Sequence, residues 1–234
     1  MEPNLCGEFN SSTYNALMSV EEVDEIVRAE HRLDHFLDEA SRIFLSYNMQ
    51  SRFGVSLLHK HSSCMHNERM IEYGECIDGH DALVTRPSVK HPNHEGASPV
   101  VWKISAGKFH PLEFSKDSLA CRLLLDGEIP DRFLDDFKEL TNLSEIGQFV
   151  GLAVVARELY DSASQDEMAV EYYNDADRSN IVVLGNRSGL DGKTIETAWS
   201  FEVQGAMKDC LKRCRKTCWN TPDGHRPNHE HLHV

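Results

Sequence analysis

The feature that most constrains the fold is the way short β-prone runs are grouped along the chain. Five runs rich in Val, Ile, Leu and aromatic residues are separated by Gly, Pro, Asn or Asp, over 53–61, 69–76, 82–86, 100–105 and 108–114. Three more follow, over 169–174, 180–184 and 194–204. Short runs with this punctuation are typical of antiparallel strands. Because strands are grouped with strands, the sequence predicts an α+β fold without βαβ units.

Helical patterns surround these groups. Ser19 and Glu22 form a capping-box pattern, and apolar residues at three- and four-residue spacings then continue to about Tyr47, which predicts a long N-terminal helix. A helical pair is predicted over 131–140 and 144–159, and a last helix over 206–218. The predicted architecture is therefore an antiparallel sheet or partly closed barrel of about eight strands, with a long N-terminal helix and a helical pair.

The chain shows no linker-like stretch and no repeat, which predicts one domain. Residues 1–17 are predicted to be a flexible N-terminal arm, and 18–234 a single α+β domain that includes a Cys/His-rich C-terminal segment over 206–234. Of the 234 residues, 40% are hydrophobic, which is enough apolar material for a core.

Charge and patterning narrow the function classes. The chain has 38 acidic and 24 basic residues, a formal net charge of −14, which disfavours nucleic acid as a partner. No apolar run approaches the roughly 20 residues that span a bilayer, and the first residues lack a secretory signal pattern, so we expect a soluble cytoplasmic protein without a membrane partner. Seven cysteines, an odd number, then favour thiols or metal ligands over disulfides.

The C-terminal segment carries the densest set of candidate metal ligands. On the predicted last helix, cysteines spaced by four residues would form one stripe, and a turn at 222–224 would bring histidines back towards it. Two thiolates and two imidazoles make a tetrahedral zinc site, so a structural zinc ion is predicted here. The preferred ligands are Cys214, Cys218, His225 and His229, with Cys210, His231 and His233 as substitutes.

Basic neighbours bear on this site as well. Lys212, Arg213, Arg215 and Lys216 lie between the cysteines and are expected to lower the pKa of the thiols. The alternative interpretation is that the cysteines are small buried hydrophobic residues and the histidines are solvated.

A second candidate site lies at the first predicted strand. His59 and His61 would point to the same face of a strand, and Glu68 would return near the next strand. Two imidazoles and a carboxylate can hold Fe, Mn, Cu or Zn with an open coordination position, and Glu68 is also the candidate catalytic residue. The alternative is a polar sheet face in which Glu68 pairs with Arg69 or Lys60.

Two family resemblances concern the same region. One resemblance is to the first metal-binding motif of the cupin family, and it is carried by Gly54, His59, His61, Glu68 and Gly74. The gaps from Gly54 to His59, from His61 to Glu68 and from Glu68 to Gly74 differ from those of the motif. The segment LLHKH, the following NERM, the PLEF run at 111–114 and the Cys/His-rich end resemble an uncharacterised family of filamentous fungi. That second resemblance implies no activity, but it implies that both candidate sites belong to one folded unit.

Two functions remain open from the sequence. The first is a metal-dependent enzyme that acts on a small molecule through His59, His61 and Glu68. The second is a non-catalytic, zinc-stabilised interaction protein, which the absence of any complete catalytic motif favours.

Overall fold

The computed structural model of the chain describes residues 5, 7–89, 96–125, 128–155, 159, 162–164, 167–186, 194–204 and 209–219. The helices are α1 (Ser11–Asn15), α2 (Val20–Arg28), α3 (Arg32–Ser46), α4 (Ser118–Leu125) and α5 (Asp131–Leu143). The first five strands are β1 (Phe53–Leu57), β2 (Glu68–Ile77), β3 (His80–Val89), β4 (Ser98–Ser105) and β5 (Lys108–Ser115). The remaining strands are β6 (Val150–Val154), β7 (Glu167–Asn174), β8 (Ser179–Asn186), β9 (Thr194–Gln204) and β10 (Asp209–Trp219).

The ten strands close into a barrel in the order β1-β6-β4-β5-β2-β3-β8-β7-β10-β9. Pairing of Val55 with Trp199 and of Ser56 with Ala198 joins the last strand to the first. Two neighbouring pairs are parallel, β2 with β5 and β7 with β10, and the others are antiparallel. The predicted α+β class with a barrel-like sheet is therefore confirmed, but the barrel is closed and has ten strands where the sequence predicts about eight.

Two of the predicted helices are wrong, and both segments are strands of the barrel. Within 144–159, a short 3-10 turn at Gly147–Phe149 leads into β6, whose residues are all buried. A strand that is buried on both faces is a continuous run of apolar residues in the sequence. It lacks the alternation of apolar and polar residues that identifies a half-buried strand. The predicted helix over 206–218 is replaced by β10, because a four-residue spacing of cysteines fits the period of two as well as the period of 3.6.

The N-terminal region also differs from the prediction. The capping box of Ser19 and Glu22 is present, but the long helix is broken between α2 and α3, where Glu30 and His31 have φ values of 54° and 56°. Such left-handed backbone angles end a right-handed helix. In the part predicted to be a flexible arm, Asn10 caps α1, and Tyr14 and Leu17 are buried.

The helices cover one outer face of the barrel. The main hydrophobic cluster joins α2, α3 and α5 to β1, β4, β6 and β9. Its centre is Phe44, whose ring lies 5.1 Å from that of Phe133, 5.5 Å from Phe137 and 5.0 Å from Phe201. Since side chains alternate along a strand, the side chains next to Phe201 point to the face of the sheet opposite the helices. Among the described residues, no helix is long and apolar enough to cross a membrane.

Two glycines allow the barrel wall to close tightly around its interior. A Cβ atom added at Gly54 would lie 2.1 Å from the carbonyl oxygen of Trp199, and one added at Gly151 would lie 2.2 Å from that of Trp102. Neither contact is sterically tolerable, so β1 and β6 approach their neighbours more closely than any other residue would permit.

Replacing Phe44 with Ala tests the cluster that holds the helices to the barrel. We expect the free energy of unfolding to fall by about 3–5 kcal/mol, because a fully buried aromatic side chain is removed from a packed site. Urea denaturation provides the measurement. Leu143→Ala is the control, since Leu143 is 78% exposed on α5 and should change stability by less than about 0.5 kcal/mol. Equal effects of the two substitutions would contradict this packing.

Candidate metal centre

A cluster of polar side chains lies inside the barrel, on the face opposite the helices. Its centre is the carboxylate of Glu171, which β7 holds almost fully buried. Glu113 on β5 and Lys216 on β10 affect each other electrostatically, although five steps around the ten-strand ring separate their strands. Groups on opposite strands of a closed barrel can interact in this way across its interior.

Two histidines reach Glu171 from the end of β1. His59 Nε2 lies 3.7 Å from Glu171 Oε2, and His61 Nε2 lies 3.6 Å from Oε1. The two Nε2 atoms are 3.1 Å apart. One ligand atom from each residue can be chosen so that all three lie within 4.8 Å of one another, which makes His59, His61 and Glu171 a candidate metal centre.

Local contacts fix the orientation of both rings. His59 Nδ1 lies 2.9 Å from the carbonyl oxygen of Leu57. A carbonyl only accepts, so Nδ1 carries a hydrogen and donates it there, and Nε2 points into the cluster. His61 stacks on Tyr173 at a centroid distance of 5.8 Å and an interplanar angle of 14°. Bonding of the outer imidazole nitrogen to a carbonyl is the usual way in which metal-ligating histidines are oriented.

The Glu171 carboxylate is held in its charged form. Lys216 Nζ lies 2.9 Å from Oε1, Asn180 donates to the same oxygen, and the Thr197 hydroxyl donates to Oε2 over 3.2 Å. Burial alone would raise the pKa of Glu171, but the Lys216 ammonium and hydrogen bonds from His59 and His61 outweigh it and hold that pKa well below its usual range.

The surroundings of His61 favour its neutral form. Burial lowers its pKa, and this effect exceeds the opposing effect of its hydrogen bond with Glu171. A neutral imidazole offers a lone pair, which is the form that a metal ion requires.

Glu68, the carboxylate predicted from the sequence as the third ligand, is engaged elsewhere. Its two oxygens accept from the guanidinium of Arg178 over 3.2 and 2.9 Å, and Oε2 also accepts from the Met65 N–H. Arg178 donates in addition to the Ser63 carbonyl. The pair therefore clamps the segment that follows the two histidines onto the turn between β7 and β8, and Glu171 takes the place predicted for Glu68.

Glu171 carries a sequence signal of its own. It is a carboxylate in the middle of the β-prone run AVEYY at 169–173. Charged residues are almost never fully buried unless they are paired, so a glutamate in a buried strand points to a site.

The predicted C-terminal zinc site falls partly outside the described residues. His225, His229, His231 and His233 all lie there, and the side chain of Cys210 is not described either. Cys214 Sγ contacts the Lys216 carbonyl, and Cys218 is fully buried in the main hydrophobic cluster. Among the described residues the structure shows no cluster of Cys and His on β10, and the zinc site stays a prediction.

At the one thiol of β10 whose pKa shift is resolved, the expected effect of a basic neighbour is present but outweighed. Lys216 lowers the pKa of Cys218, whereas burial and Glu171 raise it, and the net shift is upward. The basic side chains also form ion pairs: Lys212 with Asp38, Arg213 and Arg215 with Glu202, and Lys216 with Glu171.

Comparison with known proteins gives no match: no family model, no curated protein and no solved structure is significantly similar to this chain. The resemblances to the cupin motif and to a fungal family therefore stay predictions.

The pair of Glu68 and Arg178 predicts a pH-dependent stability. The Arg178 hydrogen bonds are the main reason why the pKa of Glu68 is lowered. A lowered folded-state pKa stabilises the protein above the unfolded pKa of about 4.3, and this contribution disappears as the pH falls through the folded value. At pH 7 we expect Glu68→Gln to lower the free energy of unfolding by about 1 kcal/mol, and well below pH 4 the difference should vanish.

Thermal unfolding of both proteins between pH 3 and pH 7 measures this effect. Glu39→Gln is the control, because Glu39 forms an exposed pair with Arg42 within α3. A difference between wild type and Glu68→Gln that stays constant over this pH range would contradict the assignment.

Proposed function

We propose that the protein binds one divalent transition-metal ion through His59, His61 and Glu171, and that it uses this ion to act on a small molecule inside the barrel. The observation that carries the proposal is the spacing of the donor atoms. Tetrahedral ligands at about 2.0–2.1 Å from an ion lie roughly 3.3–3.5 Å from one another. The two Nε2 atoms are 3.1 Å apart, and each lies close to the carboxylate, His59 at 3.7 Å from Oε2 and His61 at 3.6 Å from Oε1. With one oxygen chosen as the ligand, the three donor atoms lie within 4.8 Å of one another.

The chemistry of the donors supports the same assignment. Two imidazole nitrogens and one carboxylate oxygen suit zinc and non-haem iron(II). The Nε2 atoms of His59 and His61 lie 3.1 Å apart and both face Glu171, so a hydrogen atom on either Nε2 lies where the ion would bind. A metal ion would replace that proton, as it does whenever imidazole ligands bind a metal.

The two oxygens of Glu171 are not equivalent as ligands. Oε1 accepts from Lys216 and Asn180, whereas Oε2 accepts from the Thr197 hydroxyl and faces His59. We infer that Oε2 is the ligand oxygen and that Oε1 keeps its contact with the ammonium. The carboxylate would then be shared between the ion and Lys216.

Three protein ligands leave at least one coordination position for a water molecule or a substrate. An ion with such a position lowers the pKa of bound water or polarises a carbonyl group of the substrate. The contribution of the chain is to orient the two imidazoles, to favour the neutral form of His61, to hold Glu171 ionised and to keep the site inside the barrel. A substrate that reaches such a site has to be a small molecule.

A non-catalytic role is the second candidate, and one observation favours it. Glu171 already accepts hydrogen bonds from three side chains, so the cluster could be a fully paired structural network. A structural network needs no metal ion, and metal binding therefore distinguishes the two functions.

Replacing Glu171 with Gln should weaken binding of Zn²⁺ or Fe²⁺ at least about 100-fold, since the substitution removes a charged ligand and keeps the shape of the side chain. Competition with a chromophoric chelator measures the affinity, and plasma mass spectrometry of the purified full-length chain measures the content. Glu167→Gln on the same strand is the matched control and should bind metal as wild type does.

Two further variants separate this site from those predicted by the sequence. Glu68→Gln should retain the ion, and Cys214→Ser should retain the ion that Glu171→Gln loses. Loss of metal from Glu68→Gln but not from Glu171→Gln would contradict the assignment, and so would a folded wild-type protein that binds no metal.

A further inference from the structure

We infer that the molecule bound at the open position of the ion is a small carboxylate anion, held jointly by the metal and by Lys216. The inference rests on the proposed metal site and adds the class of its substrate. Three observations support it: the position of Lys216, the charge balance inside the barrel, and the ion pairs that the other basic side chains form.

Lys216 is directed into the site by an irregularity of β10. The pairing of β10 with β9 shifts register on both sides of this residue. Bulges next to functional sites re-aim side chains, and here the ammonium lies 2.9 Å from Glu171 Oε1 with its side chain only 14% exposed. Its register partners are Ala198 on β9 and Ala169 on β7, so the adjacent strands place only small side chains beside it.

Metal binding would leave positive charge in excess. Without an ion, the charges of Lys216 and Glu171 balance each other. A divalent ion that shares Glu171 with the ammonium adds charge that this single carboxylate cannot neutralise, and unbalanced charge in a buried site is costly. An anionic ligand would restore the balance.

The other carboxyl groups of the barrel compensate only in part. Glu113 and Glu72 are the further acidic groups that interact electrostatically within this cluster. Burial raises the pKa of Glu113, which favours its uncharged form. The Glu72 side chain is buried on β2, on the far side of the ring from Lys216.

The class of anion follows from the number of cationic groups. Arg213 and Arg215 are both engaged by Glu202, and Lys212 pairs with Asp38, which leaves Lys216 as the cation of β10 in the site. One ammonium and one ion suit a monoanion with two oxygens, one for the ion and one for Lys216. A phosphate dianion would call for more donors than these and would meet repulsion from Glu171.

The test uses the full-length protein loaded with Co²⁺, whose visible absorption reports on its ligands, with acetate as the probe. We expect acetate to change the spectrum saturably and neutral acetamide of similar shape to have little effect. In Lys216→Met saturated with Co²⁺, the affinity for acetate should fall at least tenfold, and the affinity for Co²⁺ is titrated separately because loss of the ammonium also raises the pKa of the ligand Glu171. Lys212→Met, on the same strand, should behave as wild type in both measurements.

The outcomes separate the two proposals. If the wild-type protein takes up no Co²⁺, the metal site itself fails and this inference fails with it. If Co²⁺ binds but acetate and acetamide act equally, or Lys216→Met keeps the wild-type affinity for acetate, the metal site stands and the anion assignment is overturned. The comparison of acetate with acetamide uses wild-type protein, so it decides the question even where Lys216→Met does not fold.

Discussion

The buried carboxylate of Glu171 is the constraint on which the site depends. An ionised carboxylate inside a protein is unfavourable unless charges and hydrogen bonds compensate for its lost hydration. Here the compensation comes from Lys216 on β10, Asn180 on β8 and Thr197 on β9, and from the two histidines that follow β1. Segments that are far apart in sequence therefore converge on one carboxylate, and this convergence creates the candidate ligand set.

The barrel supplies what this convergence requires. Its helices pack on the outer face through the cluster around Phe44, which leaves the interior for polar groups. The absence of side chains at Gly54 and Gly151 lets β1 and β6 lie close to their neighbours in the wall. The contact of Glu68 with Arg178 then holds the segment after the histidines against the turn of β7 and β8. Three structural features therefore shape the site: the closed barrel wall, the bulge at Lys216 and the ion pair of Glu68 with Arg178.

Part of this arrangement could be predicted from the sequence. The α+β class, the capping box at Ser19 and the pairing of His59 with His61 follow from local patterns, because capping and alternation act over a few residues. Two of the three candidate donors are therefore predictable. The sequence favours Glu68 as the third because it is near the histidines along the chain, whereas Glu171 meets them only through the closure of the barrel.

The remaining differences have physical reasons of the same kind. The strand β6 is buried throughout and shows no alternation, and the cysteines of β10 fit a strand as well as a helix, so local periodicity misassigned both. Arg178 could not be paired with Glu68 from the sequence, because 110 residues separate them. Contacts of that range depend on which strands become neighbours, and local propensity does not determine that order.

X-ray absorption spectroscopy of the zinc-loaded, full-length protein at one equivalent of metal tests the central claim most directly. The account predicts a first shell of nitrogen and oxygen atoms at about 2.0–2.1 Å that includes two imidazoles and contains no sulfur. A shell with sulfur at about 2.3 Å would place the ion on the cysteines of the C-terminal region and contradict a metal centre at His59, His61 and Glu171.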